Sequence, residues 1–125
     1  MHAVSTTNAP TPAGHYSQAI VHSGLVFVAG QLPIKPGQTE HTVGTIEEQT
    51  EQVIKNIAAI LEAAGSSLAK TVQMTLYVSD IDLWSRVNAT YVKMLGDHRP
   101  ARAVVPVKEL HYGYQIEVQA VGAIG

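Results

Sequence analysis

The chain has 125 residues, enough for one domain over residues 1–125 and too few for two that each bury a core without metal or disulfide help. Apolar residues make up 46% and charged residues 14%, which leaves little charge to cover a small monomer and points to a surface buried against another subunit. A formal charge of −2 with no Lys/Arg cluster argues against a nucleic-acid partner, and the absence of cysteine excludes disulfides, thiolate metal sites and cysteine nucleophiles.

The opening MHAVSTTNAPTPAGHYSQ is rich in Ser, Thr, Asn, Pro and Gly and predicts an irregular lead-in. It carries no basic-flanked apolar leader, and no later run reaches spanning length, so a cytoplasmic protein without a membrane partner is expected. SQAIVHSGLVFVAG reads as two β-runs joined by a tight hairpin at Ser23 and Gly24, and QLPIKPGQTEHTVG as turn and loop. Thr45 to Glu48 has capping-box spacing, and Ile46, Val53, Ile57, Ile60 and Leu61 recur at helical intervals until Gly65 closes the pattern.

The next run alternates Val72, Met74, Leu76 and Val78 against Thr71, Gln73, Thr75 and Tyr77, the two-residue period of a strand with its first set inward. Ser79 or Asp80 then caps a second helix lined on one side by Leu83, Val87, Tyr91 and Met94 and ended by Gly96. Two last strands, Arg102 to Lys108 and Tyr114 to Val121, look paired with each other. The order ββ-α-β-α-ββ predicts an α+β fold, a mixed sheet with both helices packed on one face.

Parity in the final strand turns Ile116, Val118 and Ala120 toward the helices and Glu117, Gln119 and Val121 away from them. Setting Ala103, Val105 and Val107 against Arg102, Val104 and Pro106 in the same way puts Arg102 and Glu117 together on the face away from the helices. Val104 and Val121 would share that face, and its apolar character predicts that a second subunit covers it.

Each candidate residue carries two readings at this level. Arg102 either lays its stem along the surface or offers a planar fork to a substrate carboxylate. Glu117 is an ion-pair partner or a general base. Tyr16 either packs or shapes a pocket, Asn88 faces water or orients a ligand, and Gly30 makes a turn or lets backbone approach a ligand. The six histidines have no i, i+4 pair and no acidic cluster beside them, so no metal site is expected. Neither a phosphate-binding glycine loop nor a serine nucleophile elbow is present.

At these residues the chain resembles the RidA/YjgF family of reactive-intermediate deaminases, also called endoribonuclease L-PSP-like. The resemblance runs from about Asn8 to Ala120. It rests on NAP, GHYSQAI where the family has Gly-Pro-Tyr-Ser-Gln, VAGQLPI for its Ser-Gly-Gln-Ile-Pro, then VNATY, RPARAVV and IEVQAVG. It implies a chorismate-mutase-like fold assembled as a homotrimer with a central β-barrel and clefts between subunits. The implied activity is that of a 2-iminobutanoate/2-iminopropanoate-type deaminase, hydrolysing 2-imino and 2-enamino acids to 2-oxo acids and ammonia with no cofactor and no metal.

The resemblance also assigns residues. It puts the grip on the substrate carboxylate at Arg102 and the handling of water or proton at Glu117. Tyr16, Gly30 and Asn88 fall on the family's pocket positions, and Val104 stands where a cysteine often offers its backbone carbonyl to water. His15, Ala29 and Val104 depart from the family pattern and bear on substrate range. Two other functions are expected as alternatives: a non-catalytic sensor of a small carboxylate such as a 2-oxo acid, and a deaminase of a larger enamine such as 2-aminomuconate.

Overall fold

In the computed structural model, which describes residues 1–125, the chain forms β1 (His2–Val4), β2 (Ala19–His22), β3 (Leu25–Gln31), α1 (Ile46–Ala63), β4 (Thr71–Val78), α2 (Trp84–Leu95), β5 (Ala101–Pro106) and β6 (Ile116–Ala123). The strands make one mixed sheet in the order β1-β2-β3-β6-β4-β5, antiparallel throughout except for the parallel β4–β5 pair. The expected α+β architecture is therefore present.

The local signals act as their chemistry dictates. Thr45 and Glu48 form a complete capping box at the start of α1, which satisfies amide groups that have no partner inside the helix. Val53, Ile54, Ile57, Ile60 and Leu61 are fully buried on the inward stripe of α1, against Val26, Met74, Leu76, Ile116 and Val118 of the sheet and Val87 of α2. Ser23 and Gly24, with φ of 52° and 75°, supply the two left-handed residues of a tight hairpin between β2 and β3.

Four expectations are corrected. The lead-in is not wholly irregular, because His2–Val4 pairs with Ala19–Val21 and adds an edge strand that turn-forming composition masks. Val72 is half exposed and Thr71 buried, since a register shift between Thr71 and Gln73 resets the alternation at the start of β4. Asp80 caps a single 3₁₀ turn over Ile81–Leu83, and α2 follows that turn without a side-chain cap of its own.

The fourth correction matters most for function. The last two strands are not paired: β4 lies between β5 and β6, pairing parallel with one and antiparallel with the other. Met74 and Leu76, both buried under the helices, are the register partners of Arg102 and Val104. Arg102 and Val104 thus lie on the helix side of the sheet, and Val104 packs against the core. Glu117 pairs with Tyr77 on the opposite face, beside Gln119 and Val121. Arg102 and Glu117 do not share a face.

Candidate functional site

Three buried amide side chains fix the segments around Glu117. Gln18 accepts from the Thr6 amide at 2.7 Å and donates to the Thr6 and Pro10 carbonyls, folding the lead-in back along β2 so that Tyr16 stands at its end. Asn56 of α1 donates to the Leu32 and Ile34 carbonyls and holds the chain leaving β3. Gln49 of α1 accepts from the Gln115 amide at 2.8 Å and donates to the Gln115 side chain, setting the entry to β6 two residues before Glu117. A buried amide left without these partners would be costly, so each pin is specific as well as tight.

The space these segments enclose is a cavity of about 440 Å³, lined by Tyr16, Gly30, Leu32, Ile34, His111, Tyr112 and Glu117 among others. Gly30 sits where the β3–β6 register shifts between Val28 and Gln31. A methyl group in its place would meet the Glu117 carboxylate, whose flexible end would have to swing away from its present position. The protein's two ion pairs, Glu51–Lys55 and Glu47–Arg86, lie elsewhere, so neither Glu117 nor Arg102 is committed to one. Partial burial pushes the Glu117 carboxyl above its ordinary 4.5, with His111 pulling weakly the other way. Tyr16 is half exposed, which favours a wall of the cavity over a packing role.

Arg102 occupies a second cavity, of about 390 Å³, between α2 and the start of β5. Its guanidinium lies over the rings of Trp84 and Tyr91, 4.7 and 4.8 Å from their centroids, and Nη1 donates to Asn88 Oδ1 at 3.0 Å. Tyr91 is itself buried, which raises its phenol pKa against the lowering effect of the Arg102 charge. Asn88 engages one N–H and the Tyr91 hydroxyl also lies within reach, which leaves further N–H groups of the fork to meet a carboxylate.

The candidate residues therefore divide into two half-sites. Glu117, Gly30 and Tyr16 line the first cavity, Arg102 and Asn88 the second, and Val104 lines neither. Sequence reasoning missed Trp84 and Tyr91 as the platform for Arg102; the spacing of Trp84, Asn88 and Tyr91 along one helix was the available signal. It also missed Tyr112 and His111 on the first cavity.

The chain is thus an α+β protein with a six-stranded mixed sheet, two helices on one face, and a carboxylate and a guanidinium on opposite faces. The family model described as Endoribonuclease L-PSP matches residues 6–124. A RutC family protein of Pyrococcus horikoshii is 43% identical over 118 residues, covering 94% of both chains. RidA from an Antarctic Psychrobacter has the same fold at a TM-score of 0.93 and 35% identity, covering 99% of this chain and 100% of its own. Escherichia coli TdcF, solved with bound serine, matches at a TM-score of 0.93 and 27% identity over 100% of both chains. The chain belongs to the YjgF/RidA family, the endoribonuclease L-PSP family.

Proposed function

We propose that the protein hydrolyses 2-imino and 2-enamino acids to 2-oxo acids and ammonia, using no cofactor, in sites completed between the subunits of a homotrimer. The observation that carries this reading is Glu117: a carboxylate of raised pKa with no ion-pair partner, set against a glycine that leaves it room, in a cavity large enough for a small acid. A structural glutamate would pair or face water; an unpaired one whose carboxyl is pushed upward by burial suits proton transfer. Family membership and the serine bound to TdcF support a small amino- or oxo-acid ligand.

The division into half-sites supports the assembly. The face bearing Glu117 also carries Phe27, half exposed, and Val105 and Val121, an apolar surface that another subunit would cover. Val121 keeps the place expected for it, whereas Val104 belongs to the other side. Docking a neighbour's edge strand β5 beside the Glu117 cavity would bring its Arg102 to the substrate carboxylate.

In such a site the Arg102 fork grips the carboxylate, held in orientation by Trp84, Tyr91 and Asn88. Ionised Glu117 takes a proton as water oxygen bonds to the imine carbon, and the electron pair of the C=N bond moves to nitrogen. Glu117 returns that proton to nitrogen. Transfer of the hydroxyl proton to nitrogen then accompanies C=O formation and C–N cleavage, releasing ammonia. The Gly30 backbone, Tyr16 and Asn88 shape and polarise the pocket.

Imines generated from amino acids by an amino-acid oxidase give the test. Glu117→Gln should slow hydrolysis by about a hundredfold to ten-thousandfold while 2-oxo acid binding persists. The wild-type rate should fall with decreasing pH through a value above 4.5, where the base becomes protonated. A variant as fast as wild type would remove Glu117 from the chemistry, and a wild type that accelerates no imine would leave a carboxylate-binding protein.

A further inference from the structure

The rings of His41, His111, Tyr112 and Tyr114 cluster beside the Glu117 cavity, which His111 and Tyr112 line, and the hydrolytic chemistry uses none of them. Tyr112 belongs to a single 3₁₀ turn over His111–Gly113 and has φ 63° and ψ 16°, the left-handed region that a bulky side chain rarely enters. Its ring stacks on His41 at 3.7 Å and 10°, and meets Tyr114 edge-on at 6.4 Å and 83°. Tyr114, buried beneath, lies with its hydroxyl 3.5 Å from His41 Nδ1. The backbone is thus held in an unfavourable conformation to stand Tyr112 at the surface, 49% exposed, with its orientation fixed by neighbours.

Tyr112 and His111 line the cavity together with Tyr16, Leu32 and Ile34, so the space next to the reacting carboxylate has an aromatic and aliphatic wall. At about 440 Å³ in one chain, before a neighbouring subunit's Arg102 enters, it falls in the range of roughly 300–1,000 Å³ that takes drug-sized ligands and has room for a substrate larger than a three-carbon imino acid. Rings fixed in advance bind a planar apolar group without the entropy cost of ordering it on contact.

We infer that this wall makes the protein selective for 2-imino and 2-oxo acids carrying an aromatic side chain, with Tyr112 as the residue that sets the preference. The inference rests on the proposed hydrolysis only for the acid end of the ligand; the side-chain preference comes from the wall. A short aliphatic substrate gains nothing from Tyr112, whereas a phenyl or indolyl group removes the exposed ring from water and stacks on it.

Calorimetric titration of the full-length protein with phenylpyruvate and with pyruvate tests it. Phenylpyruvate should bind roughly ten- to a hundredfold more tightly, the scale set by filling an apolar pocket. Tyr112→Asn, whose side chain tolerates the left-handed backbone, should collapse that ratio to within about threefold, and Tyr112→Phe should keep it. Equal or weaker binding of phenylpyruvate by the wild type, or an unchanged ratio in Tyr112→Asn, overturns the inference, and the wild-type comparison decides even if the asparagine variant does not fold. Because the readout is binding, discrimination without hydrolysis supports the aromatic pocket and contradicts the hydrolytic reading. Hydrolysis of the alanine-derived imine without discrimination does the reverse.

Discussion

The two cavities are built by different means. Around Glu117 the backbone makes the site: a register shift at Gly30, a left-handed turn at Tyr112, and three segments pinned by Gln18, Asn56 and Gln49. Around Arg102 side chains make it, with an edge strand of regular geometry and a guanidinium held by two rings and an amide from α2. A backbone-made site tolerates almost no change of shape. A side-chain-made site tolerates a change of shape but not of donor geometry.

That contrast predicts how each half fails. Arg102→Lys keeps the charge but loses the planar fork and most of the ring stacking, so 2-oxo acid affinity should fall about ten- to a hundredfold by calorimetry with the fold intact. Retention of wild-type affinity would mean that charge alone, not the Trp84–Tyr91–Asn88 platform, does the binding. Gly30→Ala should act through the backbone: its methyl displaces the Glu117 carboxylate, and a misplacement of about 1 Å can cost up to ~100-fold in hydrolysis. Its thermal midpoint should move less than its rate. If rate and stability fell in proportion, the glycine would be serving the sheet and not the site.

The smallest effect separates the same two roles for Glu117. Its folded pKa is raised, so the protonated form is favoured by folding; that stabilisation is complete below about 4.5 and is lost as pH rises through the raised value. Glu117→Gln should therefore melt at a higher temperature than wild type at neutral pH and at the same temperature near pH 3. A lower midpoint at neutral pH would indicate a stabilising partner for the carboxylate.

What the sequence made legible follows the same division. Periodic elements with caps were readable: α1 from its capping box and stripe, the hairpin at Ser23 and Gly24, and the inward set of β6. The face of Arg102 was not, because parity within β5 says nothing about which strand it pairs with, and a parallel crossover placed β4 between it and β6. The short edge strand His2–Val4 was hidden by the turn-forming residues that follow it. Tyr112 escaped because an aromatic residue beside glycine gives no warning of a left-handed backbone, which is fixed only when His41 and Tyr114 close around it. Arg102, Glu117, Tyr16, Gly30 and Asn88 were all named from sequence, yet their separation into two cavities depends on the strand order.

The central claim is that a working site combines Glu117 from one subunit with Arg102 from another. Purified Arg102→Ala and Glu117→Gln proteins, each expected to be inactive, can be mixed in equal amounts, allowed to exchange subunits, and assayed for imine hydrolysis. Random assembly of a trimer would put both native residues into about one quarter of the shared sites, so roughly a quarter of the wild-type rate should return. If exchange is verified by mass spectrometry and no activity returns, the two residues do not meet across an interface and the account of the site is wrong.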